Sequence, residues 1–301
     1  MNRIGIDLGG TKIEMVALAP DGAELGRQRV PTPAGEYRQI IDAIVGLVGR
    51  ADDIAAPTAQ TVGIGTPGAI SPISGVIKNS NSTVLNGKPF HRDLSRALGR
   101  PVVMRNDADC FALSEARDGA GAGARVVMGV IIGTGVGGGI VVDGKTLSGP
   151  NGVTGEWGHN QLPWAQPPDL PGAPCYCGKR GCIETFVSGP GFERDFRETT
   201  GRSLSTLRIV EEARSGNVEA TIALHLYVDR LARALASVVN VLDPDVVVAG
   251  GGMSNVTEIY ELVPQRWSTY VFGGEVSTRL VPNVHGDSSG VRGAAWLVEE
   301  T

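Results

Sequence analysis

An internal repeat constrains this chain more than any other feature of its sequence. Residues 4–18, IGIDLGGTKIEMVAL, read as a strand, a glycine-rich turn and a second strand. Residues 128–143, MGVIIGTGVGGGIVVD, repeat that pattern about 125 residues later. β-Branched residues flank central glycines in both, as in a β-hairpin. After the first hairpin the patterning predicts a helix near 36–49, strands near 61–66 and 102–105, and a helix near 108–118. After the second it predicts helices near 189–200, 218–242, 255–268 and 289–299, with a strand at 245–249. Two α/β lobes are therefore expected, each opened by a glycine hairpin and closing on a shared cleft. The small lobe would span 1–117 plus 289–301, and the large lobe 118–288.

In segment 218–242 the apolar residues Ile222, Leu226, Leu231, Leu235, Val238, Val239 and Leu242 fall at helical spacing, which predicts a core helix. Asp243-Pro244 stops it, because proline disfavours a helical residue before it. A strand then runs into Gly250-Gly251-Gly252. Segment 161–174, QLPWAQPPDLPGAP, is proline-rich and reads as an irregular loop.

Composition excludes several classes of partner. A net charge of −5 without a long basic run argues against nucleic acid and anionic membranes. No apolar stretch approaches the ~18 residues of a membrane span. Met1 leads straight into a strand-like IGIDLG without an apolar leader core, so a cytoplasmic location is expected. The 43 glycines in 301 residues are about twice the usual ~7% and are clustered, which suggests close backbone approach to ligands.

The glycine turns are the first candidate ligand sites. Successive backbone N–H groups at such a turn can cradle an anion, since no Cβ blocks a phosphate. Asp7-Leu8-Gly9-Gly10-Thr11-Lys12 is one such turn, and Gly133-Thr134-Gly135-Val136-Gly137-Gly138-Gly139 is another. A hairpin alone also demands glycine, so neither turn is specific by itself. Gly133, Gly135 and Gly138 satisfy G-x-G-x-x-G, but the residues that follow read as a strand. A dinucleotide fingerprint must open a helix, so that reading fails. Residues 5–12 likewise miss the P-loop pattern.

His159, Cys175, Cys177 and Cys182 form the second candidate. C-x-C-x₄-C spacing lets three thiolates wrap one ion from a short loop, with Gly178 and Gly181 permitting the tight backbone. Three thiolates and an imidazole suit Zn²⁺, and four protein ligands leave no open position, so the site should be structural. The fourth cysteine of the chain, Cys110, lies elsewhere. The third candidate is Val102–Ala108, a strand ending in Asn106-Asp107 ahead of a helix. Strand carboxyl ends are where open α/β sheets bind ligands. Taken alone, however, this segment reads as well as a helix cap.

Asp7-x-Gly9-Gly10-Thr11, Gly133-Thr134-Gly135-x-Gly137 and Gly250-Gly251-Gly252, in this order, resemble the nucleotide-binding elements of the sugar kinase/actin-like ATPase superfamily. Gly155-Glu156-x-Gly158-His159 followed by Cys175-x-Cys177-Gly178-x-x-Gly181-Cys182-x-Glu184 resembles the ROK group of sugar kinases and sugar-responsive repressors across nearly the whole chain. The resemblance implies a two-lobed, ribonuclease H-like fold that binds ATP and a hexose. It implies that Asp7 holds Mg²⁺, that Gly9, Gly10, Thr11 and Lys12 lie near the phosphates, and that Thr134 with Gly133 and Gly135 approaches them from the second lobe. Gly250, Gly251 and Gly252 would border the adenosine. Asp107 would act as general base toward the 6-hydroxyl. Asn106, Glu156, His159 and Glu184, and also Asn81, would bind the other hydroxyls, with His159 serving sugar and zinc through its two ring nitrogens. A homodimer is implied in the same way.

Residues 78–83, with Asn86-Gly87-Lys88-Pro89, resemble bacterial fructokinases and manno(fructo)kinases, and the chain lacks the Pro-Gly-Trp of glucokinases. A fructokinase is therefore expected, with an N-acetylglucosamine or N-acetylmannosamine kinase as the alternative. A sugar-sensing regulator is the reading from another class. Such proteins carry an N-terminal helix-turn-helix, whereas here the first hairpin begins at Ile4.

Overall fold

A computed structural model describes residues 1–33, 35–57, 60–80 and 82–300. The chain divides into two compact units, Met1–Gly123 with Gly139–Gly155 and Val284–Thr301, and Ala124–Gly138 with Glu156–Asn283.

In the first unit, β1 (Arg3–Leu8), β2 (Lys12–Leu18) and β3 (Glu24–Pro31) precede α1 (Tyr37–Ala55). After them come β4 (Val62–Thr66), the short pair β5 (Ala69–Ile70) and β6 (Ile77–Lys78), α2 (Phe90–Leu98), β7 (Val102–Asn106) and α3 (Asp107–Asp118). The sheet order is β3-β2-β1-β4-β7, with the predicted first hairpin as the antiparallel pair β1–β2 and with β1, β4 and β7 parallel. One face of the central strands is apolar. Ile4, Ile6 and Leu8 of β1 join Ile40, Ile41, Ile44, Leu47 and Val48 of α1 in a buried cluster. The other face is bare. Gly5 and Gly63 are register partners on β1 and β4, and an added Cβ would lie 2.3 Å from Val291 O and 1.7 Å from Ala294 O, respectively. Those carbonyls belong to α9 (Ser289–Trp296), which therefore lies with its backbone directly on the sheet. Gly293 makes the same kind of approach to α3, its Cβ position being 1.7 Å from Cys110 O.

β8 (Val126–Ile132) and β9 (Val136–Val142) form the second predicted hairpin, followed by β10 (Lys145–Thr146); β8 and the start of β9 belong to the second unit, and the residues from Gly139 on to the first. Beyond the metal loop come α4 (Glu184–Val187), α5 (Gly189–Thr200), α6 (Thr206–Arg214), α7 (Val218–Leu242), β11 (Val246–Gly250), α8 (Glu258–Tyr270) and β12 (Arg279–Pro282). Sheet order is β10-β9-β8-β11-β12, and β11 runs parallel to both β8 and β12. Val246–Ala249 is buried throughout, as expected of a parallel strand covered on both faces.

Three sequence expectations shift. Residues 118–123, 139–155 and 284–288, expected in the large lobe, group with the first unit, and there Gly139 meets α3, an added Cβ falling 2.4 Å from Ala108 O. On α7 the buried stripe runs through Leu224, Tyr227, Leu231, Leu235 and Val239, while Ile222 is exposed. The helix expected from 255 begins at Glu258, because Gly252–Asn255 forms a single 3₁₀ turn. No helix among the described residues is long and apolar enough to cross a membrane.

Candidate functional site

Parallel register builds the first cluster. Asp7 on β1 pairs with Gly65 on β4, and Gly65 pairs with Arg105 on β7. Asp7 and Asn106-Asp107 therefore emerge at the same, carboxyl, edge of the sheet, on the two strands that flank β4. Asp7 is packed where only glycine leaves room. Its carboxylate oxygens lie 3.4 Å from the Cβ position of Gly65 and 3.3 Å from that of Gly290. Although half-buried, it sits in dense protein, and its pKa is pushed up to about 7. Desolvation is the main cause, followed by the charges of Asp107 and Glu14, with Lys12 opposing. Two carboxylates that resist joint ionisation are a donor set suited to a hard divalent cation with oxygen ligands, so the residues fit Mg²⁺.

The turn beside them is closed by Gly9 N–H donating to Lys12 O at 2.9 Å and by Thr32 Oγ1 donating to Gly9 O at 2.8 Å. A Cβ on Gly9 would stand 2.9 Å from Lys12 O. Gly10 and Thr11 are exposed at its tip. Lys12 Nζ is 3.8 Å from the buried Glu14, which Arg27 and Arg29 also contact. The capping reading of Asn106-Asp107 is realised, since Ala108 N–H donates to Asn106 Oδ1 and to Asp107 Oδ1, each at 2.8 Å. Asp107 is nonetheless exposed, and its charge reaches Asp7. Asn106 Nδ2 also donates to Gly68 O at 3.3 Å. Asn81 lies outside the described residues.

The second unit brings its two glycine loops together. Gly133 N–H donates to Gly135 O at 2.9 Å, and Gly189 N–H at the start of α5 donates to Gly133 O, also at 2.9 Å. Gly251, with φ +83°, rests on β8, where a Cβ would fall 2.6 Å from Ile132 O. Because β8 and β11 are parallel, Gly133–Gly135 and Gly250–Gly252 leave the sheet at one carboxyl end. Thr134, Gly251 and Gly252 are exposed there. Glu184 holds this loop to the metal loop. Its Oε2 accepts from Val136 N–H at 2.9 Å, and its Oε1 lies 3.9 Å from Cys175 Sγ.

His159 and the three nearby cysteines form one cluster, with all ligand atoms within 4.8 Å of one another. His159 Nδ1 is 3.6 Å from Cys175 Sγ, and Cys177 Sγ is 3.6 Å from Cys182 Sγ. Bonds of ~2.0–2.3 Å in a tetrahedron give ligand-to-ligand edges of ~3.3–3.8 Å, so these two separations match a zinc tetrahedron and the four donors fit Zn²⁺ in kind. The knuckle is made by Cys175 N–H donating to Lys179 O at 2.8 Å and by left-handed Gly178 and Gly181. Burial, then the other two thiols, pushes Cys182 up to about 12, whereas a backbone N–H from Lys179 lowers the exposed Cys177.

Two residues of this region escape a sequence reading. Tyr176, between two of the cysteines, brings its hydroxyl 2.9 Å from His159 Nε2. Asp169, inside the proline-rich loop, is buried against Arg230 and Arg233 of α7. The C-x-C motif draws attention to the sulfurs and hides the first. The second had a weak signal, two arginines on the buried stripe of an apolar helix.

An N-acetyl-D-glucosamine kinase from Haemophilus influenzae is 40% identical over 305 residues, covering 97% of this chain and 98% of the relative. The crystal structure of a ROK hexokinase from Thermus thermophilus matches with a TM-score of 0.88 and 32% identity, covering 100% of both chains. A ROK family glucokinase from Streptomyces griseus, solved in complex with glucose and AMPPNP, matches with a TM-score of 0.77 and 27% identity over 100% of both chains. The fold is the mixed α/β, actin-like ATPase fold with two sheets. The ROK family model matches residues 3–301, so the chain belongs to the ROK family.

Proposed function

We propose that this chain is an ATP-dependent sugar kinase that phosphorylates N-acetyl-D-glucosamine on its 6-hydroxyl. The observation that carries the chemistry is the pair of electrostatically linked carboxylates, Asp7 and Asp107, at the carboxyl ends of the two strands flanking β4, beside a glycine turn. Phosphoryl transfer asks for positioned phosphates, a cation on their oxygens and an acceptor for the hydroxyl proton. Asp107 takes that proton and Asp7 holds the cation. The Mg²⁺ that accompanies ATP supplies charge neutralisation at the phosphate oxygens. Gly9–Lys12 on the first unit, and Gly133–Gly135 with Gly250–Gly252 on the second, receive the nucleotide through backbone N–H groups. Asn106, Glu156, His159 and Glu184 bind the sugar, and His159, Cys175, Cys177 and Cys182 would hold a structural Zn²⁺ that steadies Glu156, His159 and Glu184.

Support for the sugar comes from the relatives. Fructose, the substrate expected from residues 78–89, finds none in the relative from Haemophilus influenzae, whose name gives the N-acetylated alternative. The regulator reading is disfavoured because Asp7, both glycine hairpins and Asp107 are all retained. The test is ADP release measured over N-acetylglucosamine, N-acetylmannosamine, glucose, mannose and fructose. N-Acetylglucosamine should give the highest kcat/KM, and Asp107→Asn should lower kcat by about 10²–10⁴-fold with little change in sugar affinity. Turnover unaffected by Asp107→Asn would remove this base, and sugar binding without any turnover would favour a sensor.

A further inference from the structure

Tyr176 is 82% exposed, yet it is held in one orientation. Its hydroxyl meets His159 Nε2 at 2.9 Å, and its ring stands edge-on to the imidazole, with centroids 5.0 Å apart at 86°. Nδ1 of the same imidazole faces Cys175 Sγ at 3.6 Å. An imidazole that gives the Nδ1 lone pair to a cation keeps its proton on Nε2. Nε2–H then donates to the phenol oxygen, so His159 acts on the sugar through Tyr176 rather than by a direct bond, and the phenol's own proton remains for a ligand. Glu156 Oε2 lies 4.0 Å from that same Nε2, on a side chain that is 51% exposed.

One O–H donor and one carboxylate acceptor thus both lie within 4.0 Å of His159 Nε2. A secondary amide presents the complementary pair, a C=O that only accepts and an N–H that only donates. A sugar hydroxyl makes no such paired demand, because it can turn to satisfy either group alone. Resting on the sugar-kinase reading above, we propose that Tyr176 is a specificity-determining residue for a 2-acetamido sugar. Its O–H donates to the acetamido carbonyl while Glu156 accepts from the acetamido N–H. The exposed phenol ring gives the acetamido methyl an apolar surface.

Tyr176→Phe tests this, and because the side chain is exposed the substitution leaves the core untouched. Sugar binding is measured by calorimetry without nucleotide, KM and kcat by ADP release, and bound zinc by mass spectrometry. The preference for N-acetylglucosamine over glucose should fall about ten-fold, the size of one lost hydrogen bond that leaves a carbonyl unpaired. That loss should appear in Kd and KM rather than in kcat, with zinc content unchanged. Equal weakening for both sugars would mean that Tyr176 only steadies His159, and would overturn the proposal, as would an unaltered preference. A wild-type protein that binds glucose or fructose but not N-acetylglucosamine would instead overturn the substrate reading, and this inference with it.

Discussion

Replacing Asp169 by Asn should loosen the loop that joins the histidine and cysteine ligands of the metal cluster. Asp169 is 2% exposed, and each of its oxygens is fully engaged. Oδ2 accepts from Gln166 N–H at 2.8 Å and from Arg233 Nη1 at 2.9 Å, while Oδ1 accepts from Arg230 Nε at 2.8 Å. Arg233, itself fully buried, also donates to Trp164 O at 3.0 Å, so this one pair ties the loop to α7 at two points. Removing one partner of a buried ion pair costs about 3–5 kcal/mol. The loss here should fall at or below the lower end, about 2–3 kcal/mol, because Arg233 keeps Asp229 at 2.9 Å and Arg230 keeps Asp195. Asn would still accept from one arginine, but its NH₂ would face the other as a second donor.

That loss corresponds to a fall in Tm of about 5–10 °C for a unit of this size, read by thermal melts at pH 7. Acid should erase the difference between the two proteins. Burial tends to raise the pKa of Asp169, but the bonds from Gln166, Arg233 and Arg230 outweigh it and hold the carboxyl below its ordinary value. A depressed carboxylate stabilises the fold above its unfolded pKa, and the contribution is lost as pH falls through the folded one. The gap between wild type and variant should therefore be full at neutral pH and narrow below roughly pH 4. Hydrogen exchange should show residues 160–174 opening before α7. A variant that melts within about 1 °C of wild type at pH 7 would refute the clamp, as would a gap that persists unchanged into acid.

Two further perturbations follow from the site itself. Asp7 has a raised pKa of about 7 against an ordinary 3.8, so between those values the folded protein holds a proton that the unfolded chain has released. Without divalent cations, stability should fall as pH rises through that window and level off above it, and Asp7→Asn should flatten the slope; a variant keeping the wild-type slope would exclude Asp7 as its source. Stripping the metal with a chelator, or substituting Cys177→Ser, should lower Tm by several degrees and raise the sugar KM together, because His159, Glu156 and Glu184 are held by the same loop. A zinc-free preparation with full stability and an unchanged KM would show that the cluster binds no structural ion.

What could be read from the sequence is what the chain encodes over short distances. Both hairpins announce themselves through glycine between β-branched runs, and the cysteine knuckle through C-x-C with Gly178 and Gly181 in left-handed conformations. The sequence predicts α9 and groups it with the first hairpin, but not its close seat on the sheet, because that depends on Gly5 and Gly63 becoming neighbours only after β1 and β4 pair, and on helix carbonyls more than 200 residues further along the chain meeting that bare face. Glu184 illustrates the same limit. The family resemblance implies a sugar contact for it, but the bond to Val136 N–H, 48 residues away, cannot be read from the sequence.

Periodicity also hides charge. A helix scanned for apolar spacing yields α7 as a core helix, and Arg230 and Arg233 pass as interruptions even though they are 5% and 0% exposed. Buried arginines need buried partners, since an unpaired charge in the interior costs several kcal/mol. Two arginines three residues apart on the buried stripe of an apolar helix therefore imply an acid somewhere else in the chain, although they do not say where. The proline-rich segment 161–174 carries one carboxylate, Asp169, and looked like a spacer because its prolines exclude regular structure. A loop rich in proline already has restricted backbone freedom, so fixing it costs less conformational entropy than fixing an ordinary loop. Asp169 and its two arginines then anchor to α7 the loop that runs between His159 and Cys175, and the local irregularity that made the segment unreadable is compatible with that anchoring.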